Sequence, residues 1–139
     1  MKALCTELQR VWHKDIPLSA AMGAMDAIVK RHTLGVAQFS DFVRLNERYH
    51  SLLVGLARSP VLTRAIERIV ALPFASPSAF VMAKSALAAE HQTLITSQQQ
   101  HRAILEALAA GAGARAEIVA REHSNLAKRN LRAATRRAP

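Results

Sequence analysis

The sequence has little of what interrupts a helix or builds a sheet. Its 139 residues include only five glycines and five prolines, and aromatic side chains make up 4% of the chain, with one tyrosine and one tryptophan. Alanine and leucine dominate while the β-branched and aromatic residues that favour pleated structure are sparse, so helix is preferred over strand throughout. No stretch alternates apolar and polar residues in the manner of a half-buried strand.

A single cysteine, Cys5, excludes an internal disulfide. Glu7 and Arg10 interrupt the opening residues where a secretory leader needs an unbroken apolar run. Long hydrophobic runs are missing as well. Asp26, Glu67, Lys84 and Glu90 break the greasiest regions before any reaches the roughly 18 apolar residues of a membrane span. These absences give the expectation of a soluble, cytoplasmic protein with no membrane partner.

Acidic charge is also scarce, with 10 acidic against 19 basic residues. The imbalance is concentrated at one end. Residues 121 to 139 carry six basic side chains and only Glu122 to oppose them. The run from Arg129 to Pro139 therefore reads as a solvated, frayed basic tail more readily than as a specific nucleic-acid contact.

What the sequence does have is apolar periodicity at helical spacing, with half of its residues hydrophobic. A first helix is predicted over Lys2 to Lys14, placing Leu4, Leu8, Val11 and Trp12 on one face, and a second over Leu18 to His32. The third starts at Phe39 or Ser40 and reaches Ala57, with Phe39, Val43, Leu53 and Ala57 along its stripe. Ser59-Pro60 opens a fourth and Ser76-Pro77 a fifth, because serine caps free amides and proline suits the first helical turn, and Pro73 closes the helix between them. Ser97-Gln98-Gln99-Gln100 matches a capping box and predicts a fresh helix start. That helix stops at Gly111, and the last runs from Gly113 into the basic tail. The expected fold is all-α, an antiparallel bundle of about six helices.

Polar residues inside apolar stripes are the informative ones, since a buried imidazole or amide without a partner costs about 1–3 kcal/mol. Asn46 and His50 lie four apart, about 40° around the helix axis, in the stripe of Phe39, Val43 and Leu53. His101 opens the stripe of Ile104, Leu105 and Leu108, and His123 sits beside Val119 and Leu126. Four nitrogen or oxygen donors from three helices is how a helical bundle constructs a metal site. Taken singly, each histidine is better explained as a core residue hydrogen-bonded to a neighbouring carbonyl. His91, between Leu87 and Leu94, has the same placement, while His32 reads as a helix-end charge and His13 as a surface group.

Three segments resemble the FCD ligand-binding domain of the FadR subfamily of GntR transcription regulators. They are Asn46-Glu47-Arg48-Tyr49-His50, the run from His101 through Ile104, Leu105 and Leu108 to Gly111, and His123 twelve residues further on. The family pattern is an acid or asparagine, three residues, a histidine, then two distant histidines, and the resemblance extends from about residue 2 to residue 133. It implies an effector-binding and dimerisation domain over residues 1 to 133, followed by a basic tail over 134 to 139. It also implies a divalent metal ion, zinc or nickel, held by Asn46, His50, His101 and His123 beside a small-molecule cavity. The implied partners are a second copy of the chain, an organic-acid effector, and DNA reached only through an attached winged-helix domain. No winged-helix segment is read here, so the chain is expected to be a fragment of a longer regulator or a free-standing sensor.

The sequence departs from the pattern in three places. Asn46 stands where many relatives have aspartate, Ala112 where an aspartate often begins the last helix, and Arg58-Ser59 replaces a Gly-Asn turn. A neutral amide is a weaker ligand than a carboxylate, so lower metal occupancy is expected. Three imidazoles and an amide also leave the ion's charge uncompensated, which favours an anionic effector.

Two other classes fit parts of the sequence. Three histidines with open positions describe hydrolytic zinc sites, but Glu47, Glu106 and Glu122 turn about 100° to 140° away from the candidate ligands they neighbour in sequence. A basic nucleic-acid-binding module would act through Lys128, Arg129, Arg132, Arg136 and Arg137, yet the tail has no interleaved aromatics.

Overall fold

A computed structural model describes residues 17–72 and 87–136. Among them are five helices and no strand: α1 (Pro17–Val29), α2 (Val36–Gly55), α3 (Pro60–Val70), α4 (Leu87–Ala109) and α5 (Gly113–Arg136). The all-α expectation holds. The predicted helix over residues 2 to 14, the start at Ser76-Pro77 and the stop at Pro73 lie outside the described residues.

The bundle is built from two hairpins. Helix α1 buries Leu18, Ala21, Met22 and Met25, a spacing that puts all four on one stripe. Helix α2 answers with Phe39, Phe42, Asn46 and Tyr49. The six-residue connection between them turns the chain back and buries Leu34 in the same cluster. The second hairpin joins α4 to α5 through Gly111, whose φ of 71° is open to glycine at little cost. There the amide of Ala112 reaches the carbonyl of Ala107 at 2.8 Å and that of Gly111 reaches Leu108 at 3.0 Å, which closes the carbonyls that the end of α4 leaves free. Leu94 and Leu105 of α4 complete the core with Met25, Phe42 and Tyr49, so α4 packs its own hairpin onto the first.

Helix α3 is different, since none of its residues is buried. Ser59 caps it as expected, its hydroxyl accepting from the Leu62 amide at 3.2 Å, with Pro60 at the first helical position. Among the described residues no helix is long and apolar enough to cross a membrane.

Several boundaries differ from the sequence reading. Helix α2 begins three residues early, at Val36, and its buried stripe runs through Phe42 and Tyr49, with Val43 and Leu53 half-buried at its flank and Ala57 exposed beyond its end. The capping box at Ser97 does not start a helix. Helix α4 continues through it for 23 residues because Ser97 and Gln98 are buried by tertiary packing. A serine buried in a helix interior has no free helix end to cap. The basic run at the C-terminal end is not frayed where it is described: α5 continues through it to Arg136.

Candidate metal centre

Four predicted site residues come from the middles of three helices. Helix α2 carries Asn46 and His50 one turn apart, α4 carries His101 and α5 carries His123. Asn46 and His101 are fully buried and His123 nearly so, while His50 is half-buried. One nitrogen of each histidine lies within 4.8 Å of the others. The rings crowd accordingly, with centroids 4.5 Å apart for His101 and His123, 5.2 Å for His50 and His101, and 5.4 Å for His50 and His123. His101 is not at a helix start, as the sequence suggested, but in the interior of α4, where side-chain positions are held more firmly than at a terminus.

Around this cluster every polar contact is specific. Nε2 of His101 faces Nε2 of His123 at 3.2 Å. Nδ1 of His101 meets Oε1 of Gln98 at 3.2 Å, and Nδ1 of His123 meets Oε1 of Gln100 at 3.1 Å. Gln98 in turn donates to the carbonyl of Met22 at 3.1 Å and to Oδ1 of Asp26 at 2.9 Å. The guanidinium of Arg102 closes the chain on the other carboxylate oxygen of Asp26. Nε2 of His50 is buried and has no hydrogen-bond partner.

Burial decides the protonation of these rings. It lowers His50 to a pKa of about 3, with the nearby His123 adding to the effect, and lowers His123 to about 4. His101 is held well below the ordinary histidine value, first by burial and then by the other two rings. All three are therefore neutral at physiological pH, which is the form that binds metals. Burial also pushes Asp26 up, but hydrogen bonds from Gln98 and Arg102, with the charge of Arg102, outweigh it and leave its pKa lowered.

Tyr49 packs its ring against His101 with centroids 4.2 Å apart and donates its hydroxyl to the His101 carbonyl at 3.1 Å. Burial raises its pKa, so the phenol stays protonated. His50 also lines a groove between α2 and α3, about 390 Å³ in volume, with Ser51, Val54, Thr63, Ile66 and Val70 along its walls and Glu47 and Glu67 as its charged groups. Glu47, Glu106 and Glu122, the carboxylates adjacent to the histidine positions in sequence, all lie on exposed faces.

His91 shows the alternative fate of a half-buried histidine. Its Nε2 bonds the carbonyl of Val29 at 2.8 Å, away from the cluster. Tyr49 and Asp26 were not read as site residues from the sequence, and Gln98 and Gln100 were read there only as parts of a helix cap. The available signal was Gln98 three residues before His101, a spacing that shares a helix face.

The sequence matches the FCD domain family over residues 17–126, and the chain belongs to that family. No curated protein matches the sequence. FCD domains are regulatory ligand-binding domains, and the three-histidine cluster is compatible with that role.

Proposed function

We propose that this chain is the effector-sensing domain of a GntR regulator of the FadR subfamily, with a divalent metal ion in its interior. His50, His101 and His123 would hold the ion, and Asn46, buried one turn before His50, would be the fourth ligand. The observation that carries this reading is the convergence of three neutral imidazoles, one of which has a buried Nε2 with no partner. Such an atom costs free energy unless something binds it.

The donor set suits the group. Two imidazole nitrogens on one tetrahedral zinc ion at about 2.0–2.1 Å stand about 3.3 Å apart, close to the 3.2 Å between the Nε2 atoms of His101 and His123. Zinc or nickel fits imidazole ligands better than magnesium or calcium does. With no carboxylate among the three histidines, the ion keeps its charge and supplies the attraction for an anionic effector. The groove beside His50 carries two carboxylates and, among the described residues, no cation on its walls, so an organic acid there would be drawn by the ion.

In this reading, effector binding shifts the balance between helix arrangements of a homodimer, and an attached winged-helix domain reports the shift on DNA. The direct test is elemental analysis with equilibrium dialysis against zinc and nickel. About one equivalent per chain is expected for the wild type, and His50→Ala with His123→Ala should abolish it. Equal uptake by the wild type and a folded double variant would sink the assignment.

A further inference from the structure

The metal reading leaves the polar groups behind the imidazoles without a task, and their hydrogen bonds are arranged in one direction. Each N–H of the Gln98 amide is used, one on the Met22 carbonyl and one on the Asp26 carboxylate. Only its Oε1 is left to face His101. A carbonyl oxygen can only accept, so Nδ1 of His101 must carry the proton and donate it. At His123, Oε1 of Gln100 faces Nδ1 at 3.1 Å, an arrangement that takes an N–H from the ring there as well.

The consequence falls on the opposite side of each ring. A neutral imidazole protonated at Nδ1 has a bare lone pair at Nε2. With both rings in that form, two lone pairs face each other at 3.2 Å. That contact is repulsive in the metal-free protein and becomes favourable when a cation accepts both.

We infer that Gln98 and Gln100 are positioning residues that lock His101 and His123 in the tautomer exposing Nε2, with Asp26 of α1 orienting Gln98. The Ser97-Gln98-Gln99-Gln100 run, which resembles a helix cap in sequence, thereby serves the support of the site. Partners behind metal-ligating histidines fix tautomer and ring orientation, and their loss costs about 10- to 100-fold in affinity. The inference rests on the metal reading for its purpose, but the tautomers themselves exist without the ion.

The two glutamines predict different responses to the same change. Gln100→Glu keeps an acceptor on Nδ1 of His123, so zinc binding should be retained or tightened. Gln98→Glu also keeps an acceptor, but its second oxygen would meet the Asp26 carboxylate and the Met22 carbonyl, and affinity should fall. Adding Asp26→Asn to Gln98→Glu restores a donor at that contact and should recover most of the loss. Gln98→Met and Gln100→Met, similar in size but without an acceptor, should each weaken zinc binding about 10- to 100-fold.

The experiment pairs zinc competition titrations on these variants with ¹⁵N–¹H long-range NMR of the histidine rings in the metal-free wild type. The expected result is the Nδ1–H form at both His101 and His123, together with the asymmetric glutamate response. An Nε2–H form at either ring in the wild type would overturn the inference without any variant. Folded methionine variants that bind zinc within twofold of the wild type would overturn it too. Nδ1–H tautomers in a wild type that binds no metal would support the assignment and remove the metal reading instead.

Discussion

Tyr49 is tied to His101 twice over, by a ring contact at 4.2 Å and by a hydroxyl bond to the backbone carbonyl at 3.1 Å. The pair joins α2 to α4 at the level of the histidine cluster. Removing only the hydroxyl should isolate the second tie. Tyr49→Phe is expected to lower stability by about 0.5–1.5 kcal/mol while the ring keeps its packing. Urea midpoints of the two proteins measure this, and an unchanged midpoint would mean the bond contributes nothing.

Acid should destabilise the metal-free protein in a defined window. In the unfolded chain histidine titrates near 6.5, whereas folding lowers His50 to about 3 and His123 to about 4, and lowers His101 as well. Above 6.5 both states are neutral and the folded state loses nothing. As pH falls from there toward 4, the unfolded chain takes up protons that the folded chain refuses, so stability falls. The slope reaches roughly 1.4 kcal/mol per pH unit for each such histidine. Asp26 adds its own loss only below the usual carboxylate range, because its pKa is lowered. Denaturation midpoints of zinc-free protein at pH 7.5, 5.5 and 4.5 read the slope, which should shrink in His50→Leu.

The turn between α2 and α3 holds a correctable strain. Arg58 sits at a φ of 48°, where a side chain costs about 1–2 kcal/mol. The resemblance noted above places glycine at this position in relatives. Arg58→Gly relieves the strain and gives back part of the gain as chain entropy, so a net stabilisation of about 0.5–1 kcal/mol is expected. A lower melting temperature would contradict this.

One residue further on, Ser59→Ala removes the oxygen that accepts from Leu62. The expected cost is about 1 kcal/mol. Because no residue of α3 is buried, packing gives little compensation, and hydrogen exchange should quicken first in this helix.

Some of this was legible before any coordinates. Composition and periodicity are local properties, and they carried the all-α class, the proline-capped start of α3 and the glycine stop at Gly111. The same periodicity placed Asn46, His50, His101 and His123 on inward stripes. The reading failed where a local signal competed with burial. Ser97-Gln98-Gln99-Gln100 offers a good helix cap, but a cap has value only where backbone amides are free, and in α4 they are already bonded along the helix.

Local pattern determined which residues face inward, because spacing along a helix sets direction about its axis. It left open that His91 would end on the carbonyl of Val29 while three other histidines met, since periodicity treats all of them alike. Only the packing of α1, α2, α4 and α5 decided which inward groups became neighbours and which nitrogen of each ring faced the centre. Those meetings depend on separations of 22 residues and more along the chain, where contacts between helices bring the groups together, and even Gln98, a local neighbour of His101, is itself held by Met22 and Asp26 of α1.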